Sequence, residues 1–232
     1  MCSDNRNIRG KLIMIAVSAI LFVCAFDVNR PLYSKTEVGC TIVGSLETNC
    51  YFLYDDTTKK ALIIDPGSNG EKLAELTLWK ELQVCAVLIT HGHDDHTSGL
   101  PEFLEKIDCP VYAPSKDSSL LESNGIRGFR TFKNDETLEI ADFRIKVIEV
   151  PSHTKGASAF FLQSNDTSAS KLFSGDILFA DAIGKTWEPG DDIRELDGIR
   201  ERLLVLPDST VVYPGHGKPS TIREIKVWIA KW

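Results

Sequence analysis

Residues 82–99 read LQVCAVLITHGHDDHTSG, a segment that joins an apolar run to three closely spaced histidines. Residues 82–90 are an apolar run of strand length, and a helical pattern begins at Ser98 with Pro101 in its first turn. The polar segment 91–97 between them is therefore predicted to be a loop. In an extended segment, alternate side chains do not converge on one point as side chains on one face of a helix do. We therefore expect the histidine-rich segment to be a loop at the carboxyl end of the strand.

The histidines of the chain all lie in candidate metal-binding segments. They are His91, His93 and His96 in the loop, His153 in PSHTKGAS and His216 in PGHGKP. Imidazole is the commonest protein ligand for zinc and related metals. Asp95 and Asp176 add two carboxylates. A catalytic zinc usually has three protein ligands and one position for water, so this set of donors exceeds one site and predicts two metals.

The donors outside the loop share one layout. Each follows a strand-like run, as in FRIKVIEVPSH, ASKLFSGDILF and STVVYPGHG. A lone histidine is most often a solvated surface residue, but that alternative does not explain why the layout recurs. The pattern favours a set of metal ligands placed at the ends of several strands.

These motifs resemble the metallo-β-lactamase superfamily from about Gly39 to the C-terminus. TNCYFLY at 48–54, IIDPG at 63–67 and GDILF at 175–179 are similar to its small glyoxalase II-like (hydroxyacylglutathione hydrolase-like) hydrolases. The resemblance implies an α+β fold, a four-layer αββα sandwich of two mixed β-sheets flanked by helices. It also implies a dinuclear site at one edge of the sandwich.

The resemblance further implies which side chains bind the metals. One ion would lie on His91, His93 and His153, and the second on Asp95, His96 and His216, with Asp176 as the bridge. Two divalent ions are expected, zinc first, with iron or manganese as alternatives because histidine and aspartate accept all three. Zinc β-lactamases of the commonest subclass carry cysteine at the position of Asp176, so antibiotic hydrolysis loses support.

The expected reaction is hydrolysis of a small thioester, with S-D-lactoylglutathione as one candidate, by a hydroxide held between the metals. Asp95 is predicted to be catalytic, because one carboxylate oxygen would bind metal while the other orients the hydroxide. The alternative enzyme is a persulfide dioxygenase with a single iron on His91, His153 and Asp176. A non-catalytic module is disfavoured, since structural zinc sites are closed and rich in cysteine.

Substrate recognition is suggested by GKTWEPGD at 184–191, which resembles the glutathione-binding loop of glyoxalase II. In this interpretation Lys185 holds the glycine carboxylate and Trp187 is the aromatic residue two positions on. The alternative is a solvated lysine and a tryptophan that covers the sandwich edge. Small bacterial relatives carry Arg and Asp at these two positions, so the substrate remains open.

Length and composition suit one domain over residues 37–232, since the chain has 232 residues of which 43% are hydrophobic. Residues 1–36 form an extension in which basic residues precede the apolar stretch LIMIAVSAILFVCAF at 12–26. These residues are a possible signal or anchor segment, and because the stretch is shorter than the ~20 residues of a bilayer span, a signal peptide fits better than a stable span. Envelope or membrane association follows if this holds; a miscalled start codon with a cytoplasmic enzyme is the alternative.

The chain carries a net charge of −7 and no cluster of basic residues, which disfavours nucleic acid as a partner. The expected partner is a small-molecule thioester. The sequence does not indicate which oligomeric state the protein adopts. Asp65, Thr90 and Thr154 are candidates for orienting the ligands through hydrogen bonds. The weakly patterned segment 115–129 is predicted to form a helix and a loop near the site.

Overall fold

A computed structural model describes residues 36–164 and 168–232, which belong to one compact unit. The extension predicted over residues 1–36 lies outside the described residues except for Thr36, where the first strand begins. None of the helices in the described ranges has the length and apolar character of a membrane span.

Twelve strands in the described ranges form two six-stranded sheets. They are Thr36–Val43 (β1), Thr48–Asp55 (β2), Lys60–Ile64 (β3), Gln83–Leu88 (β4), Val111–Pro114 (β5), Arg130–Phe132 (β6), Thr137–Ile140 (β7), Phe143–Glu149 (β8), Ser158–Leu162 (β9), Lys171–Gly175 (β10), Val211–Pro214 (β11) and Ser220–Thr221 (β12). The first sheet has the order β1-β2-β3-β4-β5-β6 and the second β12-β11-β10-β9-β8-β7. Both contain parallel and antiparallel pairs, so both are mixed.

The described ranges contain six α-helices, most of which cover the outer faces of the sheets. They are Gly70–Trp79 (α1), Asp94–Thr97 (α2), Leu100–Lys106 (α3), Ser118–Ser123 (α4), Asp191–Gly198 (α5) and Ile222–Ile229 (α6), with a 3-10 turn at Ser115–Asp117 and a π-helical turn at Ile199–Leu203. The predicted sandwich of two mixed sheets flanked by helices is confirmed.

Alternating side chains explain why both faces of each sheet are buried. In β2, Cys50 and Phe52 pack in the apolar cluster under α1 and α3, whereas Tyr51 and Leu53 pack in the cluster between the sheets. A third cluster joins the second sheet to α6 and the π-helical turn. Successive residues of a strand point to opposite faces, so a strand buried on both faces is apolar throughout.

Two short helices bear on the ends of the domain and on the site. The C-terminal helix α6 begins with a capping box between Thr221 and Glu224. The segment 91–97 was predicted to be a loop throughout, and this is wrong for its second half, which is the single-turn helix α2. Asp94 and Asp95 stand in the first turn of α2, where the positive end of the helix dipole favours negative charge.

Candidate metal centre

The metal-ligand candidates lie at the carboxyl ends of four strands. The segment with His91 follows β4, His153 follows β8, Asp176 follows β10, and His216 follows β11. The layout expected from the strand-like runs is therefore present. The two sheets bring these ends together at one edge of the sandwich.

Three imidazoles form the first group of donors. The ligating atoms of His91, His93 and His153 all lie within 4.8 Å of one another. His153 Nε2 is 2.9 Å from His93 Nδ1. His91 is buried at 1% exposure, and His93 is half-buried beside it.

A carboxylate and two imidazoles form the second group, made of Asp95, His96 and His216. Asp95 Oδ2 lies 3.4 Å from His96 Nε2 and 3.2 Å from His216 Nε2. The Thr48 hydroxyl donates a hydrogen bond of 3.1 Å to the same oxygen. The Asp95 side chain is 24% exposed, so this carboxylate is accessible from solvent.

Asp176 lies between the two groups. Its Oδ2 is 3.6 Å from His153 Nε2 and 3.4 Å from His216 Nε2, and its Oδ1 is 3.3 Å from His96 Nε2. Gly215 makes this approach possible, because a Cβ at that position would collide with Asp176 Oδ1. One carboxylate thus reaches ligand candidates of both groups.

Buried polar atoms without hydrogen-bond partners mark the centre of this arrangement. Among the described residues they include His91 Nε2, His96 Nε2 and Asp176 Oδ1. Leaving such an atom unsatisfied costs about 1–3 kcal/mol, so native proteins pair nearly all of them. Histidine nitrogens and carboxylate oxygens at this spacing fit divalent metal ions, which would satisfy all three atoms.

The electrostatics of the site favour a cation between its carboxylates. Hydrogen bonds with Asp176 and Asp95 raise the pKa of His216 to about 10. Burial opposes the charged form of His96, yet Asp176 and Asp65 raise its pKa to about 10. Burial opposes the charged form of Asp176 as well, but the contacts with His216 and His96 lower its pKa strongly. Positive charge is thus stabilised here, whether protons or metal ions carry it.

His91 has the opposite electrostatics. Burial, reinforced by its neighbour His96, lowers the pKa of this imidazole well below its ordinary value. A neutral imidazole with a buried, unpartnered Nε2 is the form in which histidine binds a metal.

Asp65 orients ligand candidates through hydrogen bonds, as predicted. Its Oδ2 accepts hydrogen bonds from His96 Nδ1 at 2.9 Å and from the Thr90 hydroxyl at 2.6 Å, and its Oδ1 accepts one from Thr90 N at 2.8 Å. Thr90 Oγ1 is also 3.0 Å from His91 Nδ1. Asp65 holds these contacts from a left-handed backbone conformation with φ of 53°. Such strain is typical of functional sites.

Backbone carbonyls orient two further histidines. His216 Nδ1 lies 2.9 Å from the carbonyl oxygen of Leu46, and His153 Nδ1 lies 2.8 Å from that of Lys185. A proton on Nδ1 in each ring leaves the Nε2 lone pair directed at the centre.

Asp117 is a structural residue whose role no pattern in the sequence indicates. It is buried and accepts hydrogen bonds from Gly92 N, Thr154 Oγ1 and Gly156 N, which joins the loop of His91 to that of His153. The prediction that Thr154 orients a ligand is wrong, because its hydroxyl donates to Asp117 instead. Segment 115–129 does contain helix α4, and Asn124 at the end of α4 donates to the carbonyl of Gly92.

Asn49 is a second missed residue, although it lies within the motif TNCYFLY. Its Nδ2 donates to the carbonyls of Pro214 and Gly217, and its backbone N donates to that of Gly215. These bonds tie the start of β2 to the turn that carries His216. Asn49 in this motif therefore holds the turn that carries His216, a role that the sequence pattern alone does not reveal.

Lys185 and Trp187 lie beside His153. Trp187 Nε1 donates a 3.1 Å hydrogen bond to the carbonyl of His153, and the ammonium of Lys185 lies 4.3 Å from the centroid of the Trp187 ring. Trp187 remains 59% exposed. The pair thus forms an exposed cationic and aromatic surface next to the first group of donors.

Glu195 on α5 is a buried carboxyl near the centre. Neither of its oxygens has a hydrogen-bond partner among the described residues, and the side chain is fully buried. Burial, reinforced by the negative charge of Asp176, raises its pKa to about 8. Glu195 is therefore protonated in the folded protein at neutral pH.

Replacing Glu195 with Gln is expected to change the pH dependence of stability. The folded state holds a proton on Glu195 up to about pH 8, whereas the unfolded chain releases it near 4.5. This contribution to stability is full below pH 4.5 and is lost as pH rises towards 8. Relative to Glu195→Gln, the wild type should lose up to ~1.4 kcal/mol per pH unit across this window.

Urea unfolding at pH 5 and pH 8, with a chelator present, measures this difference. Exposed Glu188→Gln is the matched control and should parallel the wild type. Parallel curves for Glu195→Gln and the wild type would contradict the burial of a protonated carboxyl.

Comparison with known proteins identifies a family profile that matches most of the chain. The profile is described as the Metallo-beta-lactamase superfamily and matches residues 43–216. The chain is 34% identical over 195 residues to the Probable metallo-hydrolase YqgX of Bacillus subtilis, covering 78% of this chain and 90% of that protein. It is 35% identical over 175 residues to the Hydroxyacylglutathione hydrolase of Hamiltonella defensa, covering 75% of this chain and 64% of that enzyme.

Solved structures agree with the fold. The BLEG-1 B3 metallo-beta-lactamase has a TM-score of 0.68 and 30% identity, covering 81% of this chain and 95% of its own. TTHA1623 in a di-iron-bound form also has a TM-score of 0.68 and 30% identity, covering 80% of this chain and 96% of its own. The similar proteins therefore include a metallo-hydrolase, a β-lactamase and a di-iron protein.

Proposed function

Because the chain belongs to the metallo-beta-lactamase superfamily, we propose that its His and Asp cluster binds two divalent metal ions and hydrolyses a small thioester. His91, His93 and His153 would hold one ion, and Asp95, His96 and His216 the other. Asp176 would bridge the two ions. The observation that carries this proposal is the position of Asp176, within 3.6 Å of nitrogens from both groups.

Two bound metal ions lower the pKa of a coordinated water and polarise a carbonyl group, which is the chemistry that ester and thioester hydrolysis requires. The protein's own contribution is to orient the donors. Asp65 and the carbonyls of Leu46 and Lys185 hold the imidazole rings, and Thr48 holds the carboxylate of Asp95. Asp95 is the proposed catalytic carboxylate, since it is the more exposed of the two central aspartates, at 24% against 12% for Asp176.

The thioester part of the proposal is supported by Lys185 and Trp187. An ammonium beside the first group of donors can pair with a carboxylate on the thiol half of a substrate, and glutathione carries one. The similarity to the Hydroxyacylglutathione hydrolase of Hamiltonella defensa favours the same substrate class. Zinc is the proposed native metal, with iron and manganese as alternatives.

Substitution Lys185→Ala is expected to lower kcat/KM for glutathione thioesters by about tenfold to hundredfold. This corresponds to the loss of one charge-assisted hydrogen bond, roughly 1.5–3 kcal/mol. Thioesters of an uncharged thiol should lose much less, because they do not use the ammonium. Steady-state kinetics on both substrate types gives the comparison, and exposed Lys231→Ala is the matched control. Equal losses for both substrates would assign Lys185 a structural role instead.

Metal analysis of the purified protein combined with an assay on S-D-lactoylglutathione tests the whole proposal. Two ions per chain and hydrolysis of the thioester are the expected results. A β-lactam assayed in parallel tests the activity named for BLEG-1. One iron per chain with oxygen uptake on a persulfide would replace the hydrolase with the dioxygenase on His91, His153 and Asp176.

A further inference from the structure

A cleft of about 510 Å³ lies next to His216, and Lys185 is not among the residues that line it. Residues 179–182 form one wall, and residues 216–218 form the other. A volume of this size is in the range of sites that bind small organic molecules, roughly 300–1,000 Å³.

The walls of the cleft are continuations of segments that carry ligand candidates. Residues 179–182 follow Asp176 and form a tight turn in which Phe179 N donates to the carbonyl of Ala182 at 2.9 Å. The opposite wall begins at His216 itself. A molecule in the cleft would therefore extend directly from the second group of donors.

The lining chemistry fits an uncharged group. Phe179, Ala180 and Ala182 supply an apolar wall, and the Phe179 ring centroid lies 6.3 Å from that of His216. One anion, Asp181, and one cation, Lys218, also line the cleft, and their charges offset each other. The surface beside His153 differs, because there Lys185 brings a cation against Trp187.

Asp176 lies between the surface beside His153 and the cleft beside His216, since its Oδ2 contacts both histidines. A thioester whose carbonyl lies at the centre would have one half beside His153 and the other beside His216. The anionic thiol half suits Lys185, which leaves the cleft for the acyl half.

We propose that this cleft is an acyl subsite that accepts an uncharged acyl chain longer than three carbons. The inference rests on the proposed thioester hydrolysis. It adds the orientation in which the substrate binds and a preference for the length of its acyl chain. Each methylene buried against Phe179 and the alanines should improve kcat/KM by about fourfold until the cleft is full.

Steady-state kinetics on glutathione thioesters from acetyl to octanoyl tests the preference. The wild type should gain about fourfold per methylene beyond three carbons. Ala182→Trp, which fills the cleft, should abolish this gain, as should Phe179→Ala, which removes the apolar wall without adding volume. Ala230→Trp, an exposed site on the C-terminal segment, should keep it. A flat dependence in the wild type, or the same gain in both cleft variants, would overturn the acyl subsite.

A binding measurement separates this inference from the proposed activity. Straight-chain primary amides from acetamide to octanamide would be titrated against the protein with ¹³C-labelled alanine methyl groups. Shifts at Ala180 and Ala182, with affinity that rises with chain length, are expected even if no thioester is hydrolysed. Failure of hydrolysis with such shifts would refute the thioesterase and retain the cleft as an acyl-chain site, whereas no shifts would refute the cleft.

Discussion

Substitution Asp176→Ala is expected to remove bound metal and to lower kcat/KM by more than about a hundredfold. Loss of a residue that only orients a ligand typically costs 10–100-fold in metal affinity or activity, and Asp176 contacts nitrogens of three candidate ligands directly. Asp176→Asn should be damaging as well, because a neutral amide bridges two cations poorly. Metal content by mass spectrometry and kinetics on the same preparation give both quantities.

Asp94→Ala is the matched control for this experiment. Asp94 belongs to the same motif, but it is exposed and takes part in none of the donor groups. Full metal content and activity in Asp176→Ala would refute a shared carboxylate. Loss of one ion with retained activity would show that a single metal suffices.

Substitution Asp65→Ala is expected to destabilise the fold by about 3–5 kcal/mol, the usual cost of removing one partner of a buried ion pair, here the pair of Asp65 with His96. It would leave His96 Nδ1 and the Thr90 hydroxyl without their acceptor in a fully buried place. Metal affinity should fall by about tenfold to hundredfold, since His96 would lose its orientation. Urea unfolding with a chelator measures the first effect, and metal titration of the folded protein measures the second.

Asp56→Ala provides the comparison for Asp65→Ala. Asp56 also follows a strand, but it is exposed and forms a surface ion pair with Lys59, so its loss should cost no more than about 1 kcal/mol. Similar losses in the two variants would mean that the bonds to Asp65 contribute little. A destabilised Asp65→Ala with unchanged metal affinity would limit Asp65 to a role in folding.

Linear patterns were enough to predict the strands that lead to the ligand candidates. The apolar runs before His91, His153, Asp176 and His216 are the strands β4, β8, β10 and β11. Strands buried on both faces need continuous apolar sequence, and ligands at strand ends need polar residues directly after it, so both signals are local. The one local error was α2, because a single helical turn is too short for a periodic pattern.

The contacts that organise the centre required the tertiary structure. Asp117 and Asn49 join loops that are distant in sequence, through hydrogen bonds across 37 and 165 residues. Nothing in the pattern of SKDSSLL distinguishes a buried aspartate from a solvated one. The burial of Glu195, which lies in the polar run DDIRELDG, likewise depends on how α5 packs near Asp176.

Residue type and spacing along the chain were enough to predict the donor set and the strands that precede it, and the resemblance to a known family implied the layered fold. The packed structure was needed to place Asp176 between the two groups, to show that Asp65 rather than Thr154 orients a ligand, and to reveal the cleft beside His216. Each of these depends on distances between segments far apart in sequence. Such distances arise only when the two sheets pack and bring their strand ends to one edge.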